Sequence, residues 1–150
     1  MNGTIAEKIL ARASHKKRVE PGNFIIADVD IVFAHDGTAP LVLQAIRELG
    51  LERPVDRYKF VMCIDHAAPS PVPSMSDLHA EMRSYAVQNN VKLFDVGYGI
   101  CHQVMPSEGY IRPGMVVVGA DSHSVTHGAF NAFAIGVGSC LLYTSDAADE

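Results

Sequence analysis

Cysteine is scarce in this sequence, and its few cysteines do not suggest a shared site. The 150 residues contain three, Cys63, Cys101 and Cys140, and none of them forms a C-x-x-C pair. Their number and scatter exclude a disulfide framework. The N-terminus has no export signal and runs directly into an amphipathic segment that carries Glu7 and Lys8. We therefore expect a protein of the reducing cytoplasm.

Long apolar runs and an excess of positive charge are also missing. No apolar stretch reaches the roughly 18–20 residues that span a bilayer, so no membrane segment is expected. The formal net charge is −5, and the one basic cluster, at 16–18, is short. A general affinity for nucleic acid is therefore not expected. With 48% hydrophobic and 19% charged residues, the chain has the composition of one globular domain with a real core.

The segment 140–150 differs in character from everything before it. A glycine-punctuated apolar stretch, 136–138, gives way to a small and acidic end. Back-translation of this end yields a string that resembles a transposase adapter used to prepare sequencing libraries. We interpret 140–150 as a translated adapter and 1–139 as the N-terminal part of a longer domain. A natural acidic C-terminus is the alternative.

Helix and strand patterns alternate along the chain. Thr4 and Glu7 form a T-x-x-E capping box that predicts a helix over Thr4–Ala13. Further helices are predicted from Thr38 to Leu49, from Ser74 or Ser76 to Asn89, and after Gly128. Apolar runs predict strands at 24–27, 31–33, 58–64, 91–94 and 115–119. This alternation predicts an α/β fold with a mainly parallel sheet flanked by helices.

Carboxylates and imidazoles directly follow two of the predicted strands. Asp65-His66 ends one apolar run, and Asp121-Ser122-His123 ends another. Parallel sheets bind ligands beyond the carboxyl ends of their strands. Histidine is the natural acid or base near neutral pH, and a neighbouring carboxylate can fix its tautomer. Together with the isolated His102 and the turn His35-Asp36, these residues form a candidate cluster for acid–base chemistry.

Two other functions are compatible with the same residues. In a mononuclear metal hydrolase, zinc or manganese would be ligated by Asp65, His66, His102, Asp121 and His123. Alternatively, the fold could serve only to bind a partner. The remaining histidines, His15, His79 and His127, are interpreted as surface or packing residues. Cys101 is interpreted as a buried thiol, because in a strand it would point away from His102.

Longer motifs, spread from about Thr4 to Gly138, resemble one family closely. They are H-D-G-T-A-P at 35–40, D-H at 65–66, G-I-C-H-Q-V at 99–104, Y-I-R-P-G at 110–114 and G-A-D-S-H-S-V-T-H-G-A-F at 119–130. In this order and spacing they resemble the aconitase superfamily of iron–sulfur hydro-lyases, in its isopropylmalate dehydratase and homoaconitase branch. Ser124 stands where threonine is usual, and it keeps the hydroxyl.

The resemblance implies an aconitase-type iron–sulfur domain in which a 4Fe–4S cluster acts as a Lewis acid on a hydroxy di- or tricarboxylic acid. Water leaves the substrate and is added back at the neighbouring carbon. The implied catalytic residues are Asp65, His66, His102, Asp121 and His123, with His66 protonating the departing hydroxyl and His102 paired with Asp121. Ser122 and His35 are implied to bind the substrate.

The resemblance also implies what 1–139 does not carry. The ligating cysteines of the family lie further downstream, and neither Cys63 nor Cys101 matches them, so no metal site is expected here. The base that takes the carbon-bound proton lies on a swivel domain, which a separate small subunit carries in this branch. We therefore expect a small-subunit partner and no dehydratase activity from 1–139 alone. The motifs favour the isopropylmalate and homoaconitase branch. Isopropylmalate is the expected substrate, with homocitrate or homoaconitate, 2,3-dimethylmalate, citraconate and citrate as alternatives.

Overall fold

A computed structural model describes residues 3–51 and 56–138, so the proposed adapter segment 140–150 lies outside the described residues. The elements in chain order are α1 Ile5–Ala13, β1 Ile31–His35, α2 Ala39–Glu48, β2 Phe60–Cys63, α3 Pro73–Asn89, β3 Lys92–Phe94, α4 Cys101–Ser107, β4 Val116–Gly119, a 3-10 helix Ser122–Phe130 and β5 Phe133–Gly136. Among the described residues, no helix is long and apolar enough to span a membrane.

The five strands form one parallel sheet in the spatial order β3-β2-β1-β4-β5. From β1 the chain moves outward through β2 to β3, and then crosses back to place β4 on the other side of β1. The strand order therefore reverses between β1 and β4, where Val32 pairs with Val118. Sheets of this topology hold ligands beyond the carboxyl ends of the strands at the reversal. The predicted α/β fold with a parallel sheet is confirmed.

Both faces of the sheet are covered, which explains why its strands read as continuous apolar runs. Ala34 and Met62 point into the layer that contains α2 and α3. Phe33 and Val61, one residue earlier on the same strands, point into the layer that contains α4. All four side chains are fully buried. The strand ends are consequently anchored from both sides, and the loops that follow them are held in place.

The first helix begins at its predicted cap. The Thr4 hydroxyl accepts a hydrogen bond from the Glu7 amide at 3.2 Å, and the Glu7 carboxylate accepts one from the Thr4 amide at 2.7 Å. Both partners of the capping box are therefore satisfied. The buried residues Ile9 and Ala13 of α1 pack against Val116 at the start of β4.

The caps of the next two helices differ from prediction. Thr38 precedes α2 as expected, but its hydroxyl bonds to the backbone of His35 and caps nothing. Helix α3 begins at Pro73 after an extended Val72, so Ser74 and Ser76 lie inside the helix. Proline fits the first helical turn because its missing amide hydrogen has no intrahelical partner there.

Two further predictions need correction, and one helix was not predicted. The run 24–27 is not a strand, since Phe24 and Ile26 are 100% and 79% exposed and the sheet begins only at Ile31. The helix predicted after Gly128 is replaced by the end of the 3-10 helix and by β5, which pairs with β4. Helix α4 is an additional element, and it carries His102.

Candidate active site

The structure brings the seven predicted site residues together at the carboxyl edge of the sheet. His35 ends β1, and Asp65-His66 follows β2. Asp121 caps the 3-10 helix that follows β4, and Ser122 and His123 open that helix. His102 reaches the same place from the first turn of α4. Because β2, β1 and β4 are adjacent, parallel pairing alone places three of these loops side by side.

Asp121 lies at the centre of four imidazoles. Its carboxylate oxygens lie 3.0 Å from His102 Nε2, 3.5 Å from His35 Nε2, 3.9 Å from His66 Nε2 and 3.9 Å from His123 Nδ1. The side chain is only 8% exposed. The distance between His102 and Asp121 is that of an ion pair. Neither ring nitrogen of His102, however, is aligned for a hydrogen bond with any described residue. Asp121 also accepts a hydrogen bond from the His123 amide at 2.8 Å.

Asp65 holds His66 in one orientation. Its Oδ1 lies 2.9 Å from His66 Nδ1, and its Oδ2 accepts a hydrogen bond from the Cys101 amide at the start of α4. An ionised carboxylate can only accept, so Nδ1 of His66 carries a hydrogen and Nε2 is the exchangeable position. The Asp65 side chain is 2% exposed and the His66 side chain is 32% exposed. The free edge of the ring therefore faces the open side of the site.

His35 lies beneath His66. The two rings stack with centroids 3.6 Å apart and planes 13° apart. His35 Nδ1 accepts a hydrogen bond from the Gly37 amide at 3.0 Å, so its hydrogen is on Nε2 and faces Asp121. Burial lowers the pKa of His35, and a charge on His66 lowers it further, against the opposing effect of Asp65 and Asp121. His35 is therefore held neutral near pH 7.

Two imidazoles lie deeper, behind the Asp121 carboxylate. Burial lowers the pKa of His102, although the nearby Asp121 opposes this shift. His127 is fully buried, 5.9 Å from His102 and 5.6 Å from Phe33 between ring centroids. Burial and then the charge on His102 lower the pKa of His127 to about 4. His127 is thus a neutral packing residue, as predicted.

Ser122 and His123 form the exposed rim of the site. The His123 side chain is 79% exposed, and its Nδ1 lies 3.5 Å from the Ser122 hydroxyl. Neither side chain is fixed by packing, unlike Asp65 and Asp121 beneath them. These two residues are therefore the ones most open to an incoming ligand.

Two paired glycines let the Asp121 loop approach the sheet. Gly119 of β4 pairs with Gly136 of β5. A Cβ on Gly119 would overlap the Phe33 ring and the Ser124 hydroxyl, and a Cβ on Gly136 would overlap the Asp121 carbonyl oxygen. The Ser124 hydroxyl donates to that same carbonyl at 2.6 Å. The position of Asp121 thus requires residues without a Cβ at both glycine positions.

A buried pair beside the site was missed in the sequence. His79 Nε2 of α3 lies 3.0 Å from Asp36 Oδ2, and the two residues are 2% and 0% exposed. His79 was assigned only to packing or the surface, and Asp36 was placed in the candidate acid–base cluster without a partner from α3. The available signal was helical spacing, since His79 shares the buried face of α3 with Met82 and Ala86.

The cysteines of the described residues, Cys63 and Cys101, are both fully buried. Contact between the two thiols and then burial raise the pKa of Cys101 far above its ordinary value. The buried-thiol interpretation is confirmed, although Cys101 begins a helix and not a strand. Cluster ligands are thiolates that face the metal, so these two cysteines do not fit a cluster.

Comparisons with known proteins agree with the fold. Residues 7–144 match the model of the Aconitase family (aconitate hydratase). The chain belongs to the aconitase family. It is 46% identical over 93% of its length to the probable 3-isopropylmalate dehydratase large subunit of Methanothermobacter thermautotrophicus, covering 33% of that protein. It is 44% identical, over 93% of its length and 33% of the relative, to the 3-isopropylmalate dehydratase large subunit 1 of Methanopyrus kandleri.

A second branch of the aconitase family is nearly as similar. The chain is 43% identical over 89% of its length to the probable methanogen homoaconitase large subunit of M. thermautotrophicus, covering 32% of that protein. The chain therefore spans about a third of the length of the curated relatives it matches. In these aconitase relatives an iron–sulfur cluster is implied, and the described residues supply no cysteine pair that fits one.

Proposed function

We propose that this chain is the N-terminal part of the large subunit of an iron–sulfur hydro-lyase, with 3-isopropylmalate as substrate. The observation that carries the proposal is the ring of four imidazoles around Asp121, in a chain that matches the aconitase family over residues 7–144. Removing a hydroxyl group as water requires an acid, and a carboxylate substrate requires positive charge. Histidines supply both near neutral pH.

His66 is the proposed proton donor to the departing hydroxyl. Asp65 holds its Nδ1 hydrogen, so the proton that moves is the one on Nε2. The ring is partly exposed on the open side of the site, where a ligand can reach it. Asp65 also stabilises the charged ring before the transfer, as a carboxylate partner does for a catalytic imidazole.

The remaining residues orient the substrate. His102 and Asp121 form the proposed pair at the back of the site, with His102 Nε2 3.0 Å from the Asp121 carboxylate. Ser122 and His123 are proposed to contact the substrate directly from the exposed rim. His35 remains a proposed substrate contact, but only 9% of its side chain is exposed. Its burial supports a contact through the ring edge that faces Asp121.

The cluster and the base for the carbon-bound proton are proposed to lie outside the described residues. Neither Cys63 nor Cys101 fits a cluster ligand, because both thiols are fully buried. The relatives are named large subunits, which supports a small subunit as the partner that brings the missing base. We accordingly propose that 1–139 alone has no dehydratase activity, and that 140–150 is a translated adapter.

Substrate choice within the family is the finer part of the proposal. Two relatives named for 3-isopropylmalate dehydratase, at 46% and 44% identity, favour isopropylmalate and hence leucine biosynthesis. A relative named for homoaconitase at 43% identity keeps the homocitrate and homoaconitate series as the alternative. Dimethylmalate and citraconate are further candidates of the same chemical class.

A mononuclear metal site is the second candidate, because ligand atoms of His66, His102 and Asp121 lie within 4.8 Å of one another. The other possible group contains Asp36 and Asp65, whose oxygens already accept hydrogen bonds from backbone amides. A metal there would have to displace amide donors that have no other hydrogen-bond partner among the described residues. The family match further favours the hydro-lyase.

The test uses the complete large subunit, purified anaerobically with its small subunit. We expect iron with acid-labile sulfide, and hydration and dehydration of isopropylmalate in preference to homocitrate. His66→Gln should lower kcat by about 10²–10⁴-fold, as for loss of a general acid. His15→Gln is the matched control, since His15 is 81% exposed and distant in sequence from the site. Zinc without sulfide, or full activity of His66→Gln, would refute the proposal.

A further inference from the structure

Asp36 is a fully buried carboxylate that reaches from one loop into another. It stands in the turn after β1, yet it accepts hydrogen bonds from the His66 amide at 3.0 Å and the Ala67 amide at 2.9 Å. Those amides belong to the loop after β2. The carboxylate therefore ties together the ends of two adjacent strands, at the place where His66 leaves the sheet.

His79 completes the coordination of this carboxylate. Its Nε2 lies 3.0 Å from Asp36 Oδ2, and its position on α3 brings a third element to the same group. Burial by itself would raise the pKa of Asp36, but the bonds from Ala67, His66 and His79 outweigh it and lower the pKa. Asp36 is thus ionised and accepts only, so His79 must donate from Nε2.

We propose that Asp36 and His79 are positioning residues that hold the 65–67 loop so that His66 is presented on Asp65. The inference rests on the proposed function, in which His66 is the acid. Three contacts then fix His66. Its backbone amide donates a hydrogen bond to Asp36, its Nδ1 lies 2.9 Å from the Asp65 carboxylate, and its ring stacks on His35 with centroids 3.6 Å apart. Only Nε2 remains free to exchange a proton.

The hydrogen bonds at Asp36 distinguish this role from metal binding. A ligand carboxylate needs a lone pair directed at open space, whereas both oxygens of Asp36 point at backbone amides. The residue is 0% exposed, so an ion has no open path to it. Positioning instead requires a buried, ionised and fully bonded carboxylate, and Asp36 has these properties.

The first test follows His66 by NMR in the 150-residue chain, with histidine labelled by ¹⁵N. Asp36→Asn and His79→Phe should abolish the Nδ1–H signature of His66 and reduce the hydrogen-exchange protection of the His66 and Ala67 amides about tenfold or more, since each removes a charge-assisted hydrogen bond. His79→Gln keeps a donor near the Nε2 position and should restore both. Asp77→Asn, on the exposed face of α3, is the matched control.

A fold control keeps this test interpretable. The amides of Val61 and Val117 in the central strands should stay protected in every variant, because their partners do not involve Asp36. Loss of protection limited to the 65–67 loop supports the proposal. An unchanged His66 signature and unchanged protection in both Asp36→Asn and His79→Phe would overturn it.

The second test uses the assembled enzyme and separates the two proposals. His79→Phe should lower kcat more than tenfold with KM changed less than twofold, and His79→Gln should recover most of the rate. Equal losses in His79→Phe and His79→Gln would overturn the positioning role. If the wild-type assembly turns over no hydroxy acid while the NMR effects are present, the proposed function fails and the positioning of His66 stands.

Discussion

Replacing Gly136 with alanine should destabilise the fold and displace Asp121. The new Cβ would overlap the Asp121 carbonyl oxygen and lie 3.0 Å from Ser122 Cα. Both obstacles are backbone atoms, so no side chain can rotate away to relieve the overlap. Gly136 is paired in register with Gly119 of β4, which prevents β5 from sliding. The strain must therefore be taken by the loop that carries Asp121.

Overpacking of this kind costs about 1–3 kcal/mol of the free energy of unfolding. For a chain of this length each kcal/mol lowers Tm by roughly 2–4 °C. Gly128→Ala is the matched control, because a Cβ there meets nothing within 4 Å and neither glycine has a positive φ. Both substitutions change the unfolded chain equally, so their difference measures the overlap.

Urea unfolding followed by circular dichroism gives this difference directly. A histidine NMR spectrum should also show a changed His102 ring in Gly136→Ala, because His102 lies 3.0 Å from the Asp121 carboxylate. Equal unfolding free energies for Gly136→Ala and Gly128→Ala, within ~0.5 kcal/mol, would refute the reasoning. So would an unchanged His102 spectrum in a destabilised Gly136→Ala.

Other measurements test the packing and the caps. Stability should fall as the pH is lowered from about 6.5 to about 4, since the unfolded His127 takes up a proton there while the buried ring, its pKa lowered to about 4, does not. Urea titrations at both pH values should show that the free energy of unfolding falls by about 2 kcal/mol. The fall should be smaller in His127→Leu but should not vanish, because the pKa of His102 is lowered too. Thr4→Ala should lower the free energy of unfolding by about 1 kcal/mol, because Thr4 forms a capping box. Ser74 forms no such cap, so Ser74→Ala should lower it by no more than ~0.5 kcal/mol. Equal losses in urea unfolding would contradict this assignment of the helix caps. Iodoacetamide should alkylate Cys101 only after urea is added, as peptide mass spectrometry would show, because contact with Cys63 and burial keep its thiol protonated; fast labelling of native protein would contradict this.

The sequence was informative wherever one local interaction decides the structure. The capping box at Thr4 and the apolar runs of β1, β2, β3 and β4 are of this kind, and the structure confirms them. The run at 24–27 was wrongly predicted because a short apolar segment becomes a strand only when it packs and pairs in a sheet. Residues 24–27 pair with none of the five described strands, and Phe24 remains exposed.

The missed elements depend on tertiary contacts that have no local pattern. Strand β5 has only four residues, Phe133–Gly136, which is too short to tell a strand from a helix by its pattern, and pairing with β4 decides between the two. Helix α4 has only seven residues and an internal Pro106, which obscures a helical period. Its first turn is fixed by a long-range contact, the bond from the Cys101 amide to Asp65.

The clustering of the candidate residues was largely readable because most of them stand at strand ends. Parallel strands put Asp65 and Asp121 at the same edge of the sheet, and the strand order, with β1 between β2 and β4, brings them near each other. The role of Asp36 was not readable, since its three bonds go to residues 30, 31 and 43 positions away. Such a pairing is visible only when the loops are in place, and the same holds for the stacking of His35 under His66.

The distribution of charge supports the proposed substrate class, an acid that carries two or more carboxylates. Asp36 and Asp65 are committed to backbone amides and one ring each, so Asp121 is the one described carboxylate that faces all four site imidazoles. Burial and like charge keep the pKa of His35 lowered, and burial does the same for His102. An incoming carboxylate would counteract this lowering of the two pKa values and favour the protonated rings. The substrate would thereby strengthen the positive charge that holds its own carboxylates.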